Sequence, residues 1–296
     1  MAEDSPRGIV RSTRVIYPES QRLMPADETA GLGRANISKV WLILVAVLAV
    51  IALVFWIALT PPGFWAKIRM IGYAVCHQIP GHSFFDAEHQ FPLCARCTGM
   101  YLGSLLGLEF TWLQGKRSGF PIVWVWAIFA VFFLSFVFDG INSAIGLLPG
   151  LKQVYPSQNW LRLATGLGMG LAMGSLLAVA FTQAIWKDAL GSTIFAQGQY
   201  FLSMVLAALL AGSLVLWGPT LVKQFLMIVS TMGVVVMLTL IYSVPASLLF
   251  FGQSKVYNYQ SLYLPLLIGF LLTTLQLGGL AYLRFLITGT LLPINL

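Results

Sequence analysis

The sequence predicts an all-α fold, a polytopic bundle of about seven transmembrane helices, and three observations predict it. Of 296 residues, 58% are hydrophobic and only 9% charged, whereas a soluble domain is nearer a quarter charged. Apolar runs of roughly 20 residues recur along the chain, each long enough to cross a bilayer as a helix. These runs are continuous, not the short alternating segments that a membrane β-barrel requires. Together they imply a multi-pass protein of the cell membrane with the lipid bilayer as its main partner.

The net charge of +7 does not imply nucleic acid. The basic residues stand singly at the ends of apolar runs, where they meet lipid headgroups. No basic cluster interleaved with aromatics is present, so nucleic-acid binding is excluded. These flanking Lys and Arg residues divide almost evenly between the two faces, and the positive-inside rule does not orient the chain.

Taken in order, residues 1–38 are polar and mixed in charge and read as a flexible tail, neither a domain nor a signal peptide. The first span, about 40–60, stops at Pro61-Pro62, because proline cannot continue a helix. Phe64, Ile68, Ile71 and Val75 then follow at helical spacing, as a short interfacial helix or a tilted extension into the next element. Pro80-Gly81 and Pro92 break the following stretch into a loop. The second span runs from near Cys97 to Gln114, and the third from Ile122 to Phe138, ending at Asp139-Gly140. A fourth covers Asn159 to Trp186. Three more occupy about 199–217, 222–244 and 260–282. The expected organisation is a tail (1–38), a membrane domain carrying the chemistry (39–186) and additional transmembrane helices (187–296).

The chemistry is confined to the loop before the second span. All three cysteines and all three histidines of the chain fall within residues 76–97. Cys94-x-x-Cys97 is the strongest motif, since two thiolates at this spacing can bite one tetrahedral metal. Cys76 is a third candidate ligand. The fourth is His77, taken first, with His82 and His89 as rivals and Asp86 and Glu88 within sequence reach. Zinc is the expected metal. The same residues also admit a redox reading, with Cys94 and Cys97 as a thiol–disulfide or quinone-linked pair. The start of a helix and Arg96 would lower thiol pKa there. Three cysteines cannot all pair within one chain, so a disulfide framework is not expected. Thr98 follows Cys97, which disfavours c-type haem. A third reading is an accessory subunit packed against other membrane proteins.

Topology adds neighbours to the cysteines. If the second span leaves the Cys face, the third returns to it, bringing Asp139 back. Asn159 and Arg162, three residues apart at the start of the fourth span, share that face and one side of their helix. Asp139 and Arg162 are expected partners, since a charge near apolar depth is costly unless paired. Arg96, Asp139, Asn159 and Arg162 thus form an expected polar shell around Cys76, His77, Cys94 and Cys97. Gly99, Gly103 and Gly107 repeat every four residues in the second span, and Gly166, Gly170 and Gly174 in the fourth. Such stripes let helix backbones approach closely in membranes, so these two helices are expected to pack together. Glu109 is expected to snorkel toward Lys116 and Arg117.

The string Cys76-His77-Gln78-x-Pro80, with Ser83-Phe84 and His89-Gln90-x-Pro92-Leu93-Cys94-Ala95-Arg96-Cys97-Thr98-Gly99-x-Tyr101-x-Gly103, resembles the prokaryotic membrane family called domain of unknown function 2085. Asp139-Gly140 and Asn159-x-x-Arg162-x-x-Thr165-Gly166 resemble that family's second block, and the likeness covers about residues 65–180. The chain departs from the pattern at Gly81-His82. The resemblance implies a shared site on a membrane scaffold and names no reaction.

Overall fold

Apolar composition determines the architecture of the computed structural model, which describes residues 39–86, 89–148, 150–251 and 259–291. The expected tail, 1–38, lies outside the described residues. Eight helices follow: α1 (Lys39–Leu59), α2 (Phe64–Val75), α3 (Ala95–Trp112), α4 (Val123–Ile145), α5 (Asn159–Ile185), α6 (Gly198–Trp217), α7 (Thr220–Phe251) and α8 (Tyr263–Thr288). Six of them, all but α2 and α3, are long and apolar enough to span a membrane. The expected seventh span is α3. It is helical, but its glycines, Arg96 and Glu109 dilute its apolar character, and it runs through the interior of the bundle.

Several boundaries differ from expectation for identifiable reasons. Asp139 and Gly140 do not end α4, which continues to Ile145 because Asp139 is buried and paired. Helix α7 runs through Pro245, as transmembrane helices tolerate where neighbours re-satisfy the backbone. The Cys/His window is not a plain loop. It forms a turn at Pro80–His82 and an antiparallel hairpin of β1 (Ser83–Asp86) and β2 (His89–Cys94). At the opposite end of α3, β3 (Arg117–Gly119) pairs in parallel with β4 (Leu190–Thr193). Glu109 is exposed and forms no ion pair among the described residues; Lys116, its expected partner, binds Asp188 at 2.8 Å.

Helices α3 and α5 make the most extensive interface in the molecule. They run parallel, Gly99 facing Leu163 and Leu167, and Gly107 facing Leu171 and Ser175. The two glycine stripes interlock, as the four-residue repeats predict. A β-carbon on Gly170 would overlap the Met100 carbonyl oxygen and lie 2.7 Å from the Ser104 nitrogen. Helix α4 packs on α5, while α6 and α7 each pack on both α3 and α5. Helix α8 then lies on α7, with α1 and α2 against α8. The seam therefore places the first turns of α3 and α5 side by side.

Gly170→Ala should destabilise the protein by about 1–3 kcal/mol, the usual cost of overpacking. Gly279→Ala, where an added β-carbon meets nothing within 4 Å, should stay within about 0.5 kcal/mol of wild type. Denaturation of both variants in one detergent checks this; equal stabilities would contradict the seam.

Candidate metal centre

The cysteine cluster is assembled by backbone devices at three element ends. Cys76 follows the last residue of α2, its amide donating to the Gly72 carbonyl at 2.8 Å. Two residues on, Gln78 adopts φ 54°, a left-handed conformation costly for a residue bearing a β-carbon. Its buried side chain donates to the carbonyls of Pro92 (2.8 Å) and Arg69 (3.1 Å), and its own carbonyl accepts from Gln90 Nε2 at 2.8 Å. Gln78 thus ties the end of α2 to β2. Gly72 makes the contact feasible, because a β-carbon there would collide with the Pro92 carbonyl. Cys94 ends β2 as the N-cap residue of α3, and Cys97 lies in the helix's first turn.

The three Sγ atoms all lie within 4.8 Å of one another. Cys76 and Cys94 are buried, at 7% and 5% exposure, within an apolar cluster that includes Ile71, Leu93, Val234 and Leu277. All three are free thiols. The Cys94 amide donates to Cys76 Sγ at 3.2 Å. Hydrogen bonds from the Cys94 and Cys97 thiols hold Cys76 well below the ordinary thiol range. Cys94, giving its proton to that bond, is pushed up to about 12. The expected helix-terminus effect on Cys94 is therefore overridden, and Cys76 is the thiol of the three most disposed to ionise. Three thiolates at this separation require a cation.

The histidines separate. His77 is exposed, with Nδ1 3.7 Å from Cys76 Sγ. His82 is half-buried with its ring 5.6 Å from that of His77. Burial first, then the nearby Arg162 charge, lowers its pKa to about 4. His89 turns away and packs on Trp65. Asp86 accepts from Gln224 of α7 at 2.9 Å, and Glu88 lies outside the described residues. Among the described residues, only the three cysteines form a compact ligand group.

Arg96, Asp139, Asn159 and Arg162 meet beside the cysteines. Arg96 forms a close ion pair with Asp139 and donates to the Asp139 carbonyl (3.0 Å) and Ser143 Oγ (2.9 Å). Tyr155 donates to the other Asp139 oxygen at 2.8 Å. Arg162 donates to Asn159 Oδ1 (2.7 Å) and Ser143 Oγ (3.3 Å). Asp139 and Arg162 are thus linked through Ser143 and Arg96; the expected direct pairing is replaced by Arg96–Asp139. Asn159 Nδ2 reaches the Gly81 and Ser83 carbonyls, both at 3.3 Å, joining α5 to the hairpin.

Sequence reasoning missed Arg284. This residue of α8 donates to the carbonyls of Tyr73 (2.8 Å), Cys76 and His77 (3.0 Å), with its guanidinium 4.1 Å over the Tyr73 ring. It is the lone basic residue of its span, the one signal that could have drawn attention to it. Ser143, Asn142 and Tyr155 were missed too, because their value depends on how α4 meets its neighbours.

Residues 76–176 match a family model described as "Predicted membrane protein (DUF2085)". The match begins at the first cysteine and ends within α5, so Arg284 lies beyond it. An uncharacterized protein of Methanocaldococcus jannaschii is 33% identical over 128 residues, 42% of this chain and 77% of that relative. An uncharacterized protein of Methanothermobacter thermautotrophicus is 30% identical over 105 residues, 36% of this chain and 86% of that relative. No solved structure matches the chain.

Asp139→Asn should destabilise the protein by roughly 3–5 kcal/mol, because it strands the Arg96 charge; thermal denaturation reads this. Arg284→Gln should free the Cys76 loop and speed maleimide labelling of Cys76 at least several-fold. Labelling at the wild-type rate would show that the α8 clamp is idle.

Proposed function

The chain belongs to the DUF2085 family of predicted membrane proteins, and from that premise we propose that its site is a zinc–thiolate centre held by Cys76, Cys94 and Cys97 with His77 as fourth ligand. The observation that carries this reading is the convergence of three Sγ atoms within 4.8 Å in a chain with no other cysteine. A tetrahedral zinc ion with Zn–S near 2.3 Å places its sulfurs about 3.8 Å apart, inside that limit. The dication also supplies the charge that would let three neighbouring thiols ionise together.

His77 suits the fourth position because its ring nitrogen already lies against Cys76 Sγ and its carbonyl is held by Arg284. The three sulfurs are the fixed part of the site and the exposed imidazole its exchangeable part. Metal binding would then clamp the end of α2 to the start of α3. Displacing His77 would open one coordination position to solvent, the arrangement that distinguishes zinc sites capable of chemistry from closed structural ones.

Purified protein should carry about one zinc per chain by elemental analysis. Single Cys→Ser changes at 76, 94 or 97 should abolish it. His77→Ala should lower affinity while leaving the stoichiometry. Chelation should expose all three thiols to alkylation. Folded, metal-free wild-type protein with a Cys94–Cys97 disulfide that follows ambient redox potential would overturn this reading in favour of a thiol–disulfide protein.

A further inference from the structure

The buried charges around the cysteines do not balance. Arg96 and Arg162 share one hydroxyl, Ser143, while the one carboxylate beside them, Asp139, pairs with Arg96. Arg162 is only 3% exposed. Its Nε and Nη1 are satisfied, whereas its Nη2 meets no acceptor among the described residues and keeps contact with solvent. Arg284 adds a third guanidinium bonded to carbonyl groups. Asp139 pairs with Arg96, so the Arg162 charge has no ion-pair partner among the described residues. The parallel seam worsens the imbalance, because it gathers the positive ends of two helix dipoles, α3 and α5, on this side. An uncompensated charge at this depth is expensive.

We propose that Arg162, with Asn159 and Arg96 around it, forms a subsite for a single oxyanion, a carboxylate or phosphate group, beside the cysteine centre. Arg162 Nη2 donates to the anion, and the fork geometry of a guanidinium suits the paired oxygens of either group. The Arg96–Asp139 pair fixes the surroundings, and the α5 N-terminus adds favourable field. The unpaired Arg162 charge does not depend on the cysteines, so the subsite stands whether or not they hold zinc. Coupled to the zinc reading, it makes the substrate or regulator an anion presented next to the exchangeable coordination position. The oxyanion is either a free solute or the phosphate of an anionic lipid.

Inorganic phosphate and acetate are titrated against the full-length protein in lipid-free detergent and in nanodiscs of phosphatidylcholine, with thermal unfolding as readout. A parallel set of nanodiscs contains phosphatidylglycerol. A saturable stabilisation by phosphate or acetate identifies a free oxyanion. Stabilisation by phosphatidylglycerol that makes added phosphate ineffective identifies a lipid headgroup. Arg162→Gln should weaken the response at least about tenfold, as expected for losing a charge-assisted hydrogen bond. Asn159→Asp should abolish it, since a carboxylate 2.7 Å from Arg162 supplies the missing charge internally. That variant loses the Nδ2 bonds to Gly81 and Ser83, so its anion response is the measure, not its stability. No saturable response to any of the three anions, or an undiminished response in Asn159→Asp, would overturn the subsite. Zinc content measured on the same samples keeps its failure distinct from that of the metal reading.

Discussion

Direct backbone contact between α3 and α5 is the constraint from which the rest of the site follows. Six glycines remove the β-carbons that would hold these helices apart, and packing of this kind, in place of a hydrophobic force, is what associates helices in a bilayer. The parallel register places Cys94, Arg96 and Cys97 beside Asn159 and Arg162. Once that juxtaposition is set, α4 must return Asp139 to the same end to pair Arg96. The hairpin is then fastened from above by Asn159, and α8 adds Arg284. The cysteines are close because the helices beneath them are close.

The second theme is charge held at low dielectric. A buried ion pair is weak support for stability, since desolvation offsets most of its attraction. The Arg96–Asp139–Arg162 arrangement is therefore better understood as a device that sets potential and position. It holds positive charge beside sulfur, the environment that favours thiolates and their complexes. It also couples α3, α4 and α5 through one hydroxyl, Ser143, and Asn159 joins the hairpin to them.

Much of this was legible in the sequence because it is written in local periodicity. Apolar runs located the spans, four-residue glycine repeats located the seam, and the confinement of every Cys and His to one window located the site. What escaped notice depends on contacts distant in sequence. Asp139 chose Arg96, not Arg162, because helix rotation about the seam decides which guanidinium reaches it. Arg284 is over 200 positions from Cys76, whose carbonyl it holds, and belongs to a span whose role the sequence left open. His89 is near the cysteines in sequence, yet hairpin alternation turns it toward Trp65. Helix α3 reads as an ordinary span because its length is visible in the sequence, whereas its enclosure by neighbours is not.

The central claim is that three cysteine sulfurs of this membrane bundle ligate one zinc ion. X-ray absorption at the zinc edge of the purified protein tests it most directly. The account predicts a shell of three sulfur scatterers near about 2.3 Å with one nitrogen or oxygen at about 2.0–2.1 Å. A spectrum fitted by nitrogen and oxygen alone, or a folded protein with no zinc edge, would contradict it.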